Sequence, residues 1–135
     1  MAGLSNTVRE ALLNWMLLGT VMPTAPTARY VSLHSGDPGI TGANEITGAG
    51  YARQGSVTFN APADSGADEL SDNSTLITFT NGGVSTWSVS YVGLWKTLAG
   101  TGASDFLIGG AFTTGTVVPG GSYKVALGDL NVLAR

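Results

Sequence analysis

Between Thr7 and Leu18, apolar side chains return every three or four positions, and Val8, Ala11, Leu12, Trp15 and Met16 fall on one helical face. Leu13, Leu17 and Leu18 widen that face; after Glu10 the only polar side chain before Gly19 is Asn14. The spacing predicts a helix over residues 7–18, inside an N-terminal helical segment 1–19. Thr7 and Glu10 stand at capping-box spacing, in which each side chain accepts from the other's free backbone N–H. Gly19 suits the left-handed residue that ends a helix, and Pro23 and Pro26 oppose a restart. A helix apolar nearly all round is covered on more than one side. One side is expected on the chain's own sheet and the other on a partner, with Leu13, Trp15, Leu17 and Leu18 as candidate interface residues. The alternative is a helix sunk entirely in its own core.

From residue 28 onward the period changes to two. Arg29–His34 places Val31 and Leu33 on one face and Tyr30, Ser32 and His34 on the other. Tyr51–Asn60, Thr75–Thr80, Phe106–Thr113 and Tyr123–Leu133 also read as strands. Val84–Lys96 is the longest, with Trp87, Val89, Tyr91 and Trp95 on one face and Val92 and Leu94 on the other. Its end is apolar on both faces, as a central strand should be. Asn81-Gly82-Gly83 reads as a hairpin turn. The acidic stretch Ala61–Ser74 reads as a surface loop. Parallel strands need long crossovers, usually helices, and none separates these strands. The expectation is a mainly β single domain over residues 1–135: an antiparallel β-sandwich (28–135) with one N-terminal α-helix.

Composition sharpens this picture. Only 11% of the 135 residues are charged, and 20 are glycine, as suits short strands joined by tight turns. Six basic residues against nine acidic ones leave a net charge of −3, which argues against phosphate-neutralising contact with nucleic acid. With no cysteine, disulfides and thiolate metal sites are excluded. No apolar run is long enough for a membrane-spanning helix, and no basic region precedes the first apolar run as in a signal peptide. The expectation is a chain that functions without a membrane.

Candidate chemistry is sparse. His34 is the sole histidine, and although Ser35 and Asp37 are near, three triad groups in one tight turn do not converge. Asp64, Asp68, Glu69 and Asp72 lack the spacing of a calcium loop. The glycine pairs precede no helix, so they are not phosphate loops. No catalytic residue, cofactor or metal is expected. Trp87, Tyr91 and Trp95 could stack on sugar rings if exposed, but a period-two aromatic stripe is more often a sandwich's inner face.

Several short motifs occur in order: Leu4-Ser5-Asn6, Ala28-Arg29-Tyr30-Val31-Ser32-Leu33-His34, Ser35-Gly36-Asp37-Pro38-Gly39, Asn44-Glu45-Ile46 and Gly50-Tyr51-Ala52-Arg53-Gln54, then Tyr91-Val92-Gly93-Leu94-Trp95 and Val117-Val118-Pro119-Gly120-Gly121-Ser122-Tyr123. Across nearly the whole chain this order resembles small virion structural proteins of tailed bacteriophages, of the head-decoration or tail-fibre kind. The resemblance implies a virion part, assembled in the host cytoplasm, without catalytic residues. It implies the major capsid protein or other virion proteins as partners. The apolar circumference of the helix adds the expectation of a homo-oligomer, a trimer matching a three-fold lattice position. Capsid decoration (a cement protein on the outer lattice) is the leading expectation; a tail or tail-fibre component is the alternative, and a carbohydrate-binding module a third. Lys96-Thr97-Leu98 departs from the family's acidic or Ala-rich turn, which marks that loop for a specific contact.

Overall fold

A computed structural model describes residues 3–66 and 68–134. It is mainly β, with 39% strand and 10% helix, well below the helical share that would have contradicted the sandwich expectation. Among the described residues every strand pairing is antiparallel.

Helix α1 spans Asn6–Leu18. Gly19 closes it in the left-handed conformation at φ 65°, as expected. The start differs from the capping box expected at Thr7. Ser5 is the N-cap, and its Oγ accepts from the Val8 N–H at 3.3 Å. The reason is tertiary. Ser5 is buried, its own N–H donates to the Leu107 carbonyl at 2.8 Å, and Gly3 accepts from the Gly109 N–H at 3.2 Å. Residues 3–5 thus clip onto a sheet edge, and the helix begins where the clip ends.

The strands are β1 (Tyr30–His34), β2 (Gln54–Gly55), β3 (Ala63–Ser65), β4 (Asp68–Asp72), β5 (Ile77–Thr80), β6 (Trp87–Trp95), β7 (Phe106–Val117), β8 (Ser122–Val125) and β9 (Asn131–Ala134). They form three sheets, in the orders β2-β1-β6-β7, β3-β4-β9 and β5-β8. The N-terminal clip lies on the outer edge of β7, where Leu4 bridges Ile108.

Four expectations change. Residues 61–74 hold the β3–β4 hairpin rather than a loop; β4 is partly buried and pairs with β9, more than fifty positions on, a pairing its polar sequence does not signal. Of Tyr51–Asn60 only β2 survives as strand, while Phe59 makes an isolated bridge to Asn73. Residues 123–133 split into β8 and β9 around the turn near Gly128. Nor is Asn81-Gly82-Gly83 a hairpin, because β5 pairs with β8 and β6 with β1 and β7. That turn carries the chain between sheets, and buried Asn81 fixes it by donating to the Ser85 and Val117 carbonyls at 2.8 and 2.9 Å.

The main core lies between the four-stranded sheet and the β5–β8 pair. Val31, Leu33, Trp87, Val89 and Val92 meet Ile77, Phe79 and Val125 there, with Tyr51 packed at the side. Trp87 and Val89 share this face, as expected, but Val92 joins them instead of lying opposite. The ladder between β6 and β7 shifts register between Val89 and Tyr91, where Ser90 alone stands against Phe112, Thr113 and Thr114 of β7, and the alternation along β6 breaks there. Tyr91 and Trp95 therefore leave the stripe and face the other side of the sheet with Ser32 and His34.

Candidate functional site

No α1 residue is buried. Val8, Ala11 and Leu12 are half-covered, so the expected packing on the chain's own sheet is slight, and the core-sunk alternative does not hold. Leu13, Trp15, Leu17 and Leu18 are all exposed, as is Met16. Val21 and Met22 follow beyond the cap and are exposed too. The helix start is fixed by Ser5 and the clip, so the apolar tip projects from a defined base.

On the far side of the sheet a buried polar cluster fills a second, smaller core. Arg53 grips Glu45 with two hydrogen bonds, Nε to Oε1 at 2.8 Å and Nη2 to Oε2 at 2.7 Å. Its Nη1 donates to the Thr97 and Gly100 carbonyls at 3.0 and 2.9 Å. Its guanidinium lies 3.6 Å from the centre of the Trp95 ring. The Lys96-Thr97-Leu98 loop, marked from sequence for a specific contact, thus meets Arg53 of its own chain. Trp95 Nε1 donates to Ser32 Oγ at 2.8 Å, and Ser32 Oγ lies 2.6 Å from His34 Nε2. The Tyr51 hydroxyl donates to Glu45 at 3.1 Å and accepts from the Leu33 N–H at 2.9 Å. Burial and the adjacent Glu45 carboxylate push its pKa well above the usual tyrosine value.

The tautomer of His34 follows from its partners. Nδ1 lies 2.6 Å from the Ala43 carbonyl, which can only accept, so Nδ1 carries the proton. Burial lowers the His34 pKa below 6.5, so the ring is neutral at pH 7 and Nε2 accepts from the Ser32 hydroxyl. Ser32 and His34 meet as a serine–histidine pair, yet both are fully buried and no carboxylate orients the imidazole. Ser35 and Asp37 take no part in this pair: Asp37 caps the Gly39 N–H at 2.8 Å in its own turn.

A pH prediction follows. The folded pKa of His34 is lowered, so acid drives the proton onto the unfolded chain first. The stability His34 carries as a neutral ring is full above about pH 6.5 and falls as pH drops below it. Thermal melts from about pH 7 to 5.5 should show a falling Tm in the native chain and a flatter profile in His34→Gln. Equal slopes in both would show that another group titrates.

Among the described residues, no second cluster of acidic groups or histidine gathers elsewhere on the surface. Asp64 lies opposite Glu69 across the β3–β4 hairpin, and Asp72 accepts from Asn60 at 2.5 Å. Among the described residues, no three acidic or histidine side chains stand together as a metal set. A cavity between β6, β7 and β9, lined by Val92, Leu94, Ile108, Leu130 and Val132, has about 100 Å³; two open clefts of about 440 Å³ lie elsewhere, one lined by Arg29, Phe59, Asn60 and Leu94 and one by Asn6, Arg9, Glu10 and Leu13. Trp87 and Trp95 are buried on opposite sides of the sheet, so the stripe with Tyr91 is no sugar-stacking platform. No described helix is long and apolar enough to cross a membrane.

What remains is a β-body carrying an exposed apolar helix. The comparison with protein families matches that form: residues 3–133 fit the family described as podophage GP4 fiber I protein gp80. The chain belongs to this family. It is therefore a structural protein of the bacteriophage virion, as the ordered motifs implied. No curated protein matches the chain. Among the two virion locations weighed from sequence, the family's description names a fibre. Sequence reasoning missed the Arg53–Glu45 grip, although Arg53 and Glu45 both lie in the motifs that carry the family resemblance.

Proposed function

We propose that this chain is a non-catalytic component of a podophage tail fibre, a single-domain module held in the virion by contacts with other virion proteins. The observation that carries this reading is the match of residues 3–133 to a fibre protein family. The site geometry supports it: the buried polar groups are spent on each other, which suits a bracing role and leaves no open reaction centre. The exposed side chains of α1, chiefly Leu13, Trp15, Leu17 and Leu18, form the attachment surface. Left in water they would be a sticky patch on a chain with few charges.

Gold-labelled antibody against this chain, applied to intact particles, tests the fibre assignment. Label confined to the tail, at far fewer copies than the capsid lattice has positions, is the expected result. Label spread over the capsid at lattice-scale copy number would restore capsid decoration.

A further inference from the structure

Away from the helix, the four-stranded sheet and the β3-β4-β9 sheet meet at an open cleft of about 440 Å³, a size within the roughly 300–1,000 Å³ of small-ligand sites. Arg29, immediately before β1, lines it with Leu94 of β6, Phe59, Asn60, Ser71 of β4 and Val132 of β9. Arg29 is half-buried, yet its side chain makes no hydrogen bond or ion pair among the described residues. The other described basic groups differ. Arg53 is locked on Glu45, Lys96 reaches Asp105 at 3.5 Å, Arg9 donates to Asn6 at 2.5 Å, and Lys124 is exposed. No acidic residue is among those lining the cleft. The second cleft of this size, along α1, holds Glu10 together with Arg9, so its charge is already offset.

The polar wall of the cleft is fixed before any ligand arrives. Phe59 bridges Asn73, and the Asn60 N–H donates to the Asp72 carbonyl at 2.8 Å. Asn60 Nδ2 donates to Asp72 Oδ1 at 2.5 Å, and Ser71 Oγ donates to the Asn60 carbonyl at 2.7 Å. The Ser71 proton is thereby spent, as is one of the two Asn60 amide protons. What these side chains keep free are lone pairs, on Asn60 Oδ1 and Ser71 Oγ. Arg29 brings five N–H donors and no acceptor. A complementary ligand therefore presents an anion to Arg29, hydroxyl donors to Asn60 and Ser71, and an apolar face to Phe59, Leu94 and Val132.

The kind of anion follows from charge and shape. One guanidinium balances one negative charge, and its planar fork matches the two oxygens of a carboxylate. A phosphate dianion would keep part of its charge unmet on a wall held by the Asp72 carboxylate. An extended peptide needs unpaired main chain, and here the Asn60 N–H is taken by Asp72 and the Ser74 N–H by the Thr58 carbonyl at 2.9 Å. We propose that the Arg29 cleft binds a carboxylated sugar, a uronic-acid unit. Its carboxylate sits on Arg29, its ring hydroxyls donate to Asn60 Oδ1 and Ser71 Oγ, and the C–H face of the ring lies on Phe59. The site is independent of where in the virion the chain is held.

The test is saturation-transfer difference NMR on the full-length chain, with D-glucuronate as the probe and D-glucose, acetate and tetraglutamate for comparison. Glucuronate should bind with a Kd of about 1 mM, as suits a ligand of about thirteen non-hydrogen atoms at modest efficiency. Glucose, which carries a hydroxymethyl group in place of the carboxylate, should bind at least about tenfold more weakly. Arg29→Gln should erase that preference with the thermal melt unchanged, because the side chain holds no partner in the fold. Arg29→Lys keeps the charge but loses the fork, and should bind glucuronate more weakly than the native chain. No transfer to glucuronate, equal binding of glucuronate and glucose, or a preference that survives in Arg29→Gln overturns the proposal. So does Arg29→Lys binding as the native chain does. Acetate binding as tightly as glucuronate would reduce the site to a carboxylate hole, and tetraglutamate binding more tightly would make it an acidic-peptide site; either overturns the sugar. These outcomes are separable from the fibre assignment: tail-confined antibody label without glucuronate binding sinks the sugar site alone, and Arg29-dependent binding with label over the capsid sinks the fibre alone.

Discussion

Arg53→Met should destabilise the fold by about 3–5 kcal/mol, the range seen when one partner of a buried ion pair is removed. For a chain of this size that lowers Tm by on the order of 10 °C. The Arg53 side chain is only 5% exposed and that of Glu45 17%, so solvent screens the pair little. Methionine fills part of the volume and preserves contact with Trp95, but it donates nothing. Glu45 then keeps only the Tyr51 hydroxyl on Oε1, and its Oε2 loses the Arg53 Nη2 donor. The Thr97 and Gly100 carbonyls lose their guanidinium donor at the same time. Much of the cost is thus the stranded carboxylate. It follows that Arg53→Met combined with Glu45→Leu should be less destabilised than the sum of the two single changes, by about 1–3 kcal/mol. Chemical denaturation of the four chains checks this. A loss below about 1 kcal/mol for Arg53→Met would mean that the pair behaves as a surface salt bridge.

That cluster shows where sequence reading stops. Glu45 and Arg53 are eight positions apart and share no periodic pattern; they meet because the segment from Ser35 to Gly50 folds back over the sheet. Ser32 and His34 were legible as one face of a strand, since alternate residues point the same way. That the face is buried was not legible, because it is covered by Phe106 and Trp95 from distant strands. Trp95 meets Phe106 edge-to-face at 4.9 Å, and His34 meets it at 6.4 Å. Along β6 the alternation was read correctly up to Val89, and it breaks at Ser90, where β7 inserts two more residues than β6 has. An insertion in the neighbouring strand leaves no mark in the run Val89-Ser90-Tyr91. Helix α1 was legible from its period and Gly19, yet its first residue was misplaced. A hydrogen bond to Leu107, a hundred positions away, selected Ser5 over Thr7 as the cap. The exposure of Leu13, Trp15, Leu17 and Leu18 was foreseeable, since no single sheet can cover a helix apolar all round.

The glycines carry the other large effect. Gly50→Ala should cost about 2–5 kcal/mol, combining left-handed backbone strain with overpacking. Gly50 has φ 82°, a conformation that L side chains adopt at a cost, and its missing Cβ is where the backbone of Gly82 and Gly83 passes. Main-chain atoms cannot rotate aside as a side-chain end can, so either the loop or the Asn81-Gly82-Gly83 turn must move. The turn is held by the Asn81 side chain, which accepts from the Gly83 N–H at 3.0 Å and donates to the Val117 carbonyl. The loop is held by Glu45 and by the Ala43 carbonyl above His34. Both sides are anchored, which is why the strain has nowhere cheap to go. Gly120→Ala isolates the packing share: Gly120 has nearly the same backbone, φ 78°, and nothing lies within 4 Å of the added Cβ. It should lose only the conformational part, about 1–2 kcal/mol. Urea midpoints for the two variants measure the difference directly. If Gly50→Ala proves no worse than Gly120→Ala, the two loops are not braced against each other, and the loop over His34 is held by its polar contacts alone.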